Sequence, residues 1–263
     1  MRSVRILAAI AVALACAGGG DGSAERAAAG EARAAEPVAD HAEHAMQGGA
    51  TIGGQVKFTG AKPTNPTIDM SEEPQCKSKY QTPPRAETAI VNANGTLANA
   101  FVYVKAGLPA DAKYTAPATP VVIDQDGCRY TPHVLGLMVG QQLEIRNSDP
   151  LLHNIKATGR AAASNRFNIS QPRAGMKTTR TFSGSEVMVP LECNVHGWMN
   201  AWVGVLPHPY YAVTGTDGSF SIKGLPAGTY TIEAWHEKFG TQTATVTVAG
   251  TETKTADLTF AAK

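Results

Sequence analysis

The feature that most constrains this 263-residue chain is a short motif of the form Cys-x2-His-x2-Met. It places the thiol of Cys193, the imidazole of His196 and the thioether of Met199 on one short loop. A second imidazole, that of His153, lies about 40 residues earlier in the segment NSDPLLHN (147–154). This separation leaves room for two or three strands between the two loops, so both can lie at one end of a β-sandwich.

These four side chains form a donor set that is typical of one kind of metal site. Two imidazoles, one thiolate and a long axial thioether make the trigonal His2Cys copper site. Soft sulfur donors favour Cu(I) and imidazole suits Cu(II), so the mixture eases one-electron cycling. We therefore predict one copper ion bound by His153, Cys193 and His196, with Met199 as the axial ligand. Zinc remains an alternative metal. A metal-free core with one buried cysteine and two hydrogen-bonded histidines is the other alternative, although four donors in this order argue against such a core.

Residues 120–206 resemble the cupredoxins, a family of blue-copper electron-transfer proteins. The segments YTPHVL (130–135) and VGQQLEIRN (139–147) resemble the strand pair that precedes the family's first ligand. His153-Asn154 resembles its His-Asn motif, and residues 193–199 resemble the short ligand loop of the amicyanin-like branch. The resemblance implies a Greek-key β-sandwich and the same four ligands. It also implies that Asn154 hydrogen-bonds the ligand loop and holds it closed.

Trp198 is the point at which the chain departs from that branch. The branch usually has Pro-Phe after the second histidine, whereas this sequence has Gly197-Trp198. We expect Trp198 either to form an apolar rim where a redox partner docks or to pack as a core aromatic beneath the loop.

The C-terminal part of the chain resembles a second family. The segment VTGTDGSFSIKGLPAGTY (213–230) resembles carboxypeptidase regulatory-like domains, which are small, largely non-catalytic, transthyretin-like β-sandwiches. Apolar and polar residues alternate with period two through most of the chain, which predicts an all-β protein. We expect a cupredoxin domain with an N-terminal extension at 49–206, followed by a transthyretin-like sandwich at 207–263. Since residues 51–60 resemble the first strand of the second family, insertion of the copper domain into that sandwich is an alternative.

The N-terminus has the layout of a secretory signal peptide. Residues 1–5 are basic, and the apolar run at 6–15 is too short to span a bilayer. The segment ALAC (13–16) resembles a bacterial lipobox, which would place a lipid on Cys16, while Ala15-Cys16-Ala17 also offers an Ala-x-Ala cleavage site. We expect a signal peptide at 1–16, a disordered linker at 17–48, and export to the periplasm or cell envelope. Membrane contact would then be limited to the lipid on Cys16.

Export decides how the remaining cysteines are interpreted. In an oxidising compartment Cys76 and Cys128 are candidates for a disulfide, with two free thiols as the alternative. Such a bridge would close a loop of about 50 residues and contribute roughly 3–4 kcal/mol to stability. The other histidines that follow the linker, His133, His208 and His236, are expected to be structural or at the surface, His236 at an exposed strand end.

Charge and motifs exclude several functional classes. A net charge of +1 gives no sign of a nucleic-acid partner. No Ser-His-Asp arrangement, paired-carboxylate motif or phosphate loop stands out in the sequence, so we do not expect an enzyme. The sequence favours an exported mononuclear type 1 copper protein that carries single electrons. The family resemblance implies a redox partner such as a c-type cytochrome or a periplasmic oxidoreductase.

Two other functions remain open at this stage. A copper carrier or storage protein is suggested by His41, His44 and Met46 in the linker. A non-redox adhesion or carbohydrate-binding protein is suggested by the C-terminal sandwich.

Overall fold

The computed structural model describes residues 48–262, which lie within one compact unit of the chain, Pro37–Lys263. The predicted signal peptide, the lipid site at Cys16 and nearly all of the linker lie outside the described residues. The described part is an all-β structure of four sheets, as the alternating pattern predicts. Its helical residues are one turn of helix, α1 (Pro74–Lys77), and one 3₁₀ turn (Ala163–Asn165). Among residues 48–262, no helix has the length and apolar character needed to cross a membrane.

Nine consecutive strands form a two-sheet sandwich, here called the inserted sandwich. One sheet has the strand order β5-β11-β10-β7-β8 and the other β4-β3-β6-β9. Alternate residues of both sheets, such as Ile145 and Val203, point into one shared core. The strands are β3 (Val121–Gln125), β4 (Tyr130–Thr131), β5 (Val134–Met138), β6 (Gln142–Asn147), β7 (His153–Thr158), β8 (Arg166–Gln171), β9 (Met176–Thr181), β10 (Glu186–Glu192) and β11 (Asn200–Leu206).

The remaining strands form a second two-sheet sandwich, here called the framework sandwich. In one sheet β1 pairs with β13, β16 and β17, and the other sheet has the order β12-β2-β14-β15. Its core is separate from that of the inserted sandwich and is rich in aromatic residues. The strands are β1 (Ala50–Thr59), β2 (Phe101–Ala106), β12 (Tyr211–Val213), β13 (Ser219–Leu225), β14 (Gly228–His236), β15 (Gly240–Val248), β16 (Thr253–Thr255) and β17 (Leu258–Ala261).

The strand pairing differs from the predicted division of the chain at 206/207. Both β1 and β2 precede the inserted sandwich, yet they pair with strands that follow it. The predicted domain at 49–206 therefore contributes two strands to the sandwich predicted at 207–263. The physical reason is burial: Ile52 and Val102 complete a core with Phe220 and Ile232 that the C-terminal strands alone would leave open. The arrangement matches the alternative in which the predicted copper domain is inserted into the second sandwich, and the insertion lies between β2 and β12.

The two sandwiches pack sheet against sheet. A small cluster that includes Phe101, Val134 and Leu206 fills the space between the β5–β11 sheet and the β2–β14 sheet. The ring of Phe101 lies directly over Gly204, where a Cβ atom would come within 2.4 Å of it. Glycine is therefore required at this close approach.

The segment between β1 and β2 crosses from one sandwich to the other. It contains α1, and the disulfide between Cys76 and Cys128 joins it to the loop between β3 and β4, with the two Cα atoms 5.6 Å apart. The predicted disulfide between Cys76 and Cys128 is thus confirmed. Ile68 and Met70 of the same segment are buried in the core of the inserted sandwich.

Candidate metal centre

Strand pairing brings the two predicted ligand loops together. The first residue of β7 is His153, and β7 pairs with β10, which leads directly into Cys193. The loop from Cys193 to Met199 is closed at its base because the Cys193 N–H donates to the Met199 carbonyl at 3.1 Å. Within it, the Met199 N–H donates to the His196 carbonyl at 2.9 Å. A seven-residue loop on a rigid hairpin is a fixed platform for several ligands.

Three of the four predicted ligands converge on one buried point. The Nδ1 atoms of His153 and His196 lie 3.1 Å apart, and the Cys193 Sγ lies 3.9 Å from the His196 Nδ1. One donor atom from each of these residues falls within 4.8 Å of the others. This spacing suits the insertion of one metal ion that would contact all three atoms.

The protein surroundings favour the thiolate form of Cys193. The backbone N–H groups of Val195 and His196 donate to its Sγ at 3.4 and 3.3 Å. Burial raises the pKa of Cys193, but hydrogen bonds with His153 and His196 outweigh burial and lower the pKa to about 5. Since the thiolate is the form that binds metals, the site favours the metal-binding state of its sulfur.

Asp149 holds the ring of His153 in a defined orientation. The Nε2 of His153 lies 2.7 Å from the Asp149 carboxylate, so a proton on Nε2 leaves Nδ1 free to face Cys193. Burial lowers the pKa of His153, but the contacts with Asp149 and Cys193 raise it above its ordinary value. A carboxylate behind a metal-binding histidine fixes its tautomer and raises its basicity.

Asp149 is also tied to three neighbours besides His153. It accepts hydrogen bonds from the backbone N–H groups of Gly127 and Cys128, at 3.0 and 2.7 Å, and it forms an ion pair with Lys79 at 2.5 Å. Burial raises the pKa of Asp149, but these bonds and the one with His153 hold that pKa well below its usual range. The carboxylate is therefore charged and fully engaged at neutral pH.

Asn154 links the two ligand loops. Its Oδ1 accepts a hydrogen bond from the Asn194 N–H at 3.1 Å, which is the contact that the family resemblance implies. Its Nδ2 donates to Asn168 and to the Ile169 carbonyl, so the side chain is itself fixed. Tyr130 donates to the Asn154 carbonyl and secures the same position from the opposite sheet.

Met199 and Trp198 are the other two residues of the ligand loop that the sequence singled out. Met199 is buried in the same core cluster as Cys193. Trp198 is half-buried, and its ring centroid lies 5.1 Å from that of His196. Its Nε1 donates to the Cys128 carbonyl at 3.0 Å, so it packs between the ligand loop and the disulfide.

The framework sandwich touches the end of the ligand loop. His133 connects the two parts: its Nδ1 lies 3.2 Å from the Asn200 carbonyl and its Nε2 lies 2.9 Å from Glu237. The other oxygen of Glu237 accepts a hydrogen bond from Trp202 at 2.6 Å. The hairpin tip after β14 therefore supports the residue that follows Met199.

Sequence reasoning did not find all of the residues around the site. Asp149 was visible four residues before His153, but nothing in the sequence indicated that its carboxylate faces the ligand. The position of the disulfide beside His196 had no sequence signal, because residues 76 and 196 are far apart in the chain. Cys128, Asp149 and His153 also form a second group with metal-binding spacing, but the Cys128 sulfur is engaged in the disulfide.

Comparison with known proteins supports the C-terminal resemblance. Residues 200–261 match the sequence profile of the carboxypeptidase regulatory-like domain, about a quarter of the chain. This match confirms the resemblance of the C-terminal part of the chain to that family. No match was found among curated protein sequences.

The similar solved structures include copper proteins. A copper-containing nitrite reductase from Thermus scotoductus SA-01 is 21% identical with a TM-score of 0.29, and the match covers 38% of this chain and 25% of the reductase. A purple cupredoxin from Nitrosopumilus maritimus is 21% identical with a TM-score of 0.27, covering 32% of this chain and 97% of that protein. A Cu(I) amicyanin variant is 18% identical with a TM-score of 0.28, covering 41% of this chain and 98% of amicyanin.

Proposed function

We propose that this protein is a mononuclear copper protein that carries single electrons and turns over no substrate on its own. The observation that carries the proposal is the convergence of two imidazole Nδ1 atoms and one thiolate in a buried site. His153, Cys193 and His196 would hold the ion, with Met199 as the fourth ligand. When bound there, copper supplies a one-electron couple between Cu(I) and Cu(II).

The chain's own residues prepare this site for electron transfer. Asp149 orients His153, Asn154 ties the two loops together, and backbone N–H groups stabilise the Cys193 thiolate. Because His153 and Cys193 are fixed by bonds that do not involve the metal, a change in the charge of the ion would move these two ligands little. This arrangement supports electron transfer over copper transport, since a carrier needs ligands that exchange easily.

The test is the visible absorption and EPR spectrum of the protein after Cu(II) is added. We expect an intense charge-transfer band from the Cys193 thiolate and a narrow copper hyperfine splitting. The Cys193→Ser variant should lose both signals. His208→Gln, which alters a buried histidine in the framework part of the chain, is the matched control and should keep them. A pale spectrum of ordinary tetragonal copper, or no binding, would contradict the proposal.

We also propose export to the periplasm or cell envelope, with a redox protein such as a c-type cytochrome or a periplasmic oxidoreductase as partner. The disulfide supports an oxidising compartment. Lipid attachment at Cys16 is tested by expressing the full chain in a bacterium and measuring incorporation of a labelled fatty acid. Incorporation that disappears in Cys16→Ser indicates a lipoprotein, whereas an unlabelled protein processed after residue 17 indicates the soluble form.

A further inference from the structure

The outer edge of the candidate copper site is closed by a segment that contributes no predicted copper ligand. Residues 67–80, here called the cover segment, lie over the ring of His196. The Nε2 atom of His196 lies on the side of the ring opposite the converging donors. It faces the Cys76 Sγ at 3.8 Å and the Glu73 carboxylate at 3.8 Å. As a result His196 is only 2% exposed. His153, Cys193 and Met199 are buried as well, so no side chain of the predicted ligand set faces solvent.

The cover segment has little local structure of its own. Its helical part, α1, is one turn long and has no side-chain hydrogen bond at its N-terminus. A helix this short is not stable in isolation, so tertiary anchors must hold it in place. Its covering position therefore depends on what attaches it to the inserted sandwich.

Ile68 and Met70 anchor the start of the cover segment in the core of the inserted sandwich, and three further anchors meet at one place near its end. Cys76 is bonded to Cys128, Lys79 pairs with Asp149 at 2.5 Å, and the Tyr80 hydroxyl donates to the Gly127 carbonyl at 2.7 Å. The two polar anchors can open and close in local fluctuations, whereas the disulfide cannot open without a chemical reaction. Both cysteines are fully buried, which protects the bond itself from reductants in solution.

We propose that the Cys76–Cys128 disulfide latches the cover segment over the copper centre and limits the rate at which copper enters or leaves. This inference rests on the proposed copper site. The latch keeps competing ligands away from the Nε2 side of the His196 ring. Electrons can still pass through the atoms that are in van der Waals contact with that ring. Copper would then load fastest before the disulfide forms.

The first test needs no metal. In the copper-free protein, iodoacetamide reacts with Cys193 only when the site opens, and labelling of the Cys193 peptide is followed by mass spectrometry. We expect the double variant Cys76→Ala/Cys128→Ala, which removes the latch and leaves no unpaired thiol behind, to be labelled at least tenfold faster. Tyr80→Phe removes one polar anchor and should give a smaller increase. If the double variant does not fold, the labelling rate of Tyr80→Phe relative to the parent protein still tests the inference.

The second test uses the copper-loaded protein and measures transfer of copper to bathocuproine disulfonate under reducing conditions that leave the buried disulfide intact. Transfer should be at least tenfold faster from the double variant. Phe260→Leu is the matched control, because it weakens the core of the framework sandwich without touching the cover segment. It should leave both rates unchanged even though its thermal stability falls.

The outcomes separate this inference from the proposed function. If the parent protein binds no copper but the double variant is labelled faster, the proposed function is wrong, the part of the inference that concerns copper falls with it, and only closure of the cavity around Cys193 by the disulfide is supported. If copper binds and neither rate changes in the double variant or in Tyr80→Phe, the latch is wrong and the function stands. If Phe260→Leu accelerates both reactions as much as the latch variant does, the disulfide acts only through overall stability and the latch is overturned.

Discussion

Asp149 is the residue that connects the candidate metal site with the segment that covers it. Its buried carboxylate contacts a predicted ligand, His153, and an anchor of the cover segment, Lys79. It also accepts the backbone N–H of Cys128 beside the disulfide. Few side chains have the acceptor capacity for this task, since only an ionised carboxylate offers two oxygens that accept several hydrogen bonds each.

The first prediction concerns Asp149→Asn. The amide carries no charge to pair with Lys79 and is a weaker acceptor for the Nε2 proton of His153, so the ring loses its fixed orientation. We expect the copper affinity to fall about 10- to 100-fold, the usual effect of removing an outer-shell partner. The measurement is competition with a chelator of known affinity.

Asp126→Asn provides the control for this prediction. Asp126 also faces Lys79, at 4.0 Å, but its side chain is exposed and is not bonded to a predicted ligand. Its substitution should leave the copper affinity unchanged. Equal affinity in both variants and in the parent protein would show that Asp149 does not position His153.

At the scale of elements, the contact between two sheets decides how the ligand loop is supported. Strand β11 follows the loop directly, and its outward face packs on β2 of the other sandwich through Gly204 and Phe101. Sheets that pack face to face usually interleave side chains from both surfaces. Here one sheet contributes a glycine so that a whole aromatic ring can lie flat against its backbone.

The second prediction concerns Gly204→Ala. The added Cβ would come within 2.4 Å of the Phe101 ring, which is fully buried and cannot move aside without disturbing its neighbours. We expect the free energy of unfolding to fall by about 1–3 kcal/mol, the usual cost of overpacking. Denaturant unfolding measures the change. Gly215→Ala is the control, because a Cβ there meets no atom within 4 Å, and it should be close to neutral. Equal stability of the two variants would contradict the close packing at Gly204.

At the scale of the whole molecule, two buried histidines in the framework part of the chain make stability depend on pH. Burial lowers the pKa of His208 and of His236 to about 4. In the unfolded chain a histidine titrates near 6.5, so between these values the unfolded state binds protons that the folded state does not. The contribution of these two histidines to the free energy of unfolding is therefore fully present above pH 6.5. It falls as the pH drops toward 4, by up to about 3 kcal/mol for each histidine.

The third prediction uses His236→Phe to isolate one of these groups. The His236 ring packs 4.8 Å from Phe239, and its Nε2 has no hydrogen-bond partner among the described residues. The phenyl ring suits the aromatic neighbours and cannot be protonated, although it gives up the hydrogen bond that the Lys238 N–H donates to Nδ1 at 3.2 Å. We expect the loss of unfolding free energy between pH 7 and pH 4.5 to shrink by about 2 kcal/mol.

Denaturant unfolding at the two pH values measures this difference. Phe239→Leu is the control, because it changes the packing around His236 and removes no titrating group, so it should keep the parent's pH dependence. A parent-like pH dependence in His236→Phe would show that His236 does not contribute to the acid sensitivity.

Much of the fold could be predicted from the sequence, because strands leave a local pattern of apolar and polar residues. Alternation of apolar and polar residues along strands such as β6 predicts strands with one buried face, and this was correct. Turn residues were less informative. The dipeptide Asp217-Gly218 is typical of two-residue hairpins, yet β12 pairs with β2 and β13 pairs with β1, so this turn leads from one sheet to the other. A turn dipeptide specifies only a change of chain direction. Which strands pair depends on the apolar residues that must be buried in each sandwich.

The all-β class and the residue types of the predicted donor set can be read from the sequence, because period-two alternation and the types and order of the donors are local properties. The strand pairing and side-chain contacts were needed to show that β1 and β2 complete the framework sandwich, that Asp149 contacts His153, and that His236 is buried and not at an exposed strand end. They were also needed to show that the disulfide lies against His196. These are contacts between residues far apart in the chain, and they depend on which surfaces remain to be buried once the strands have formed.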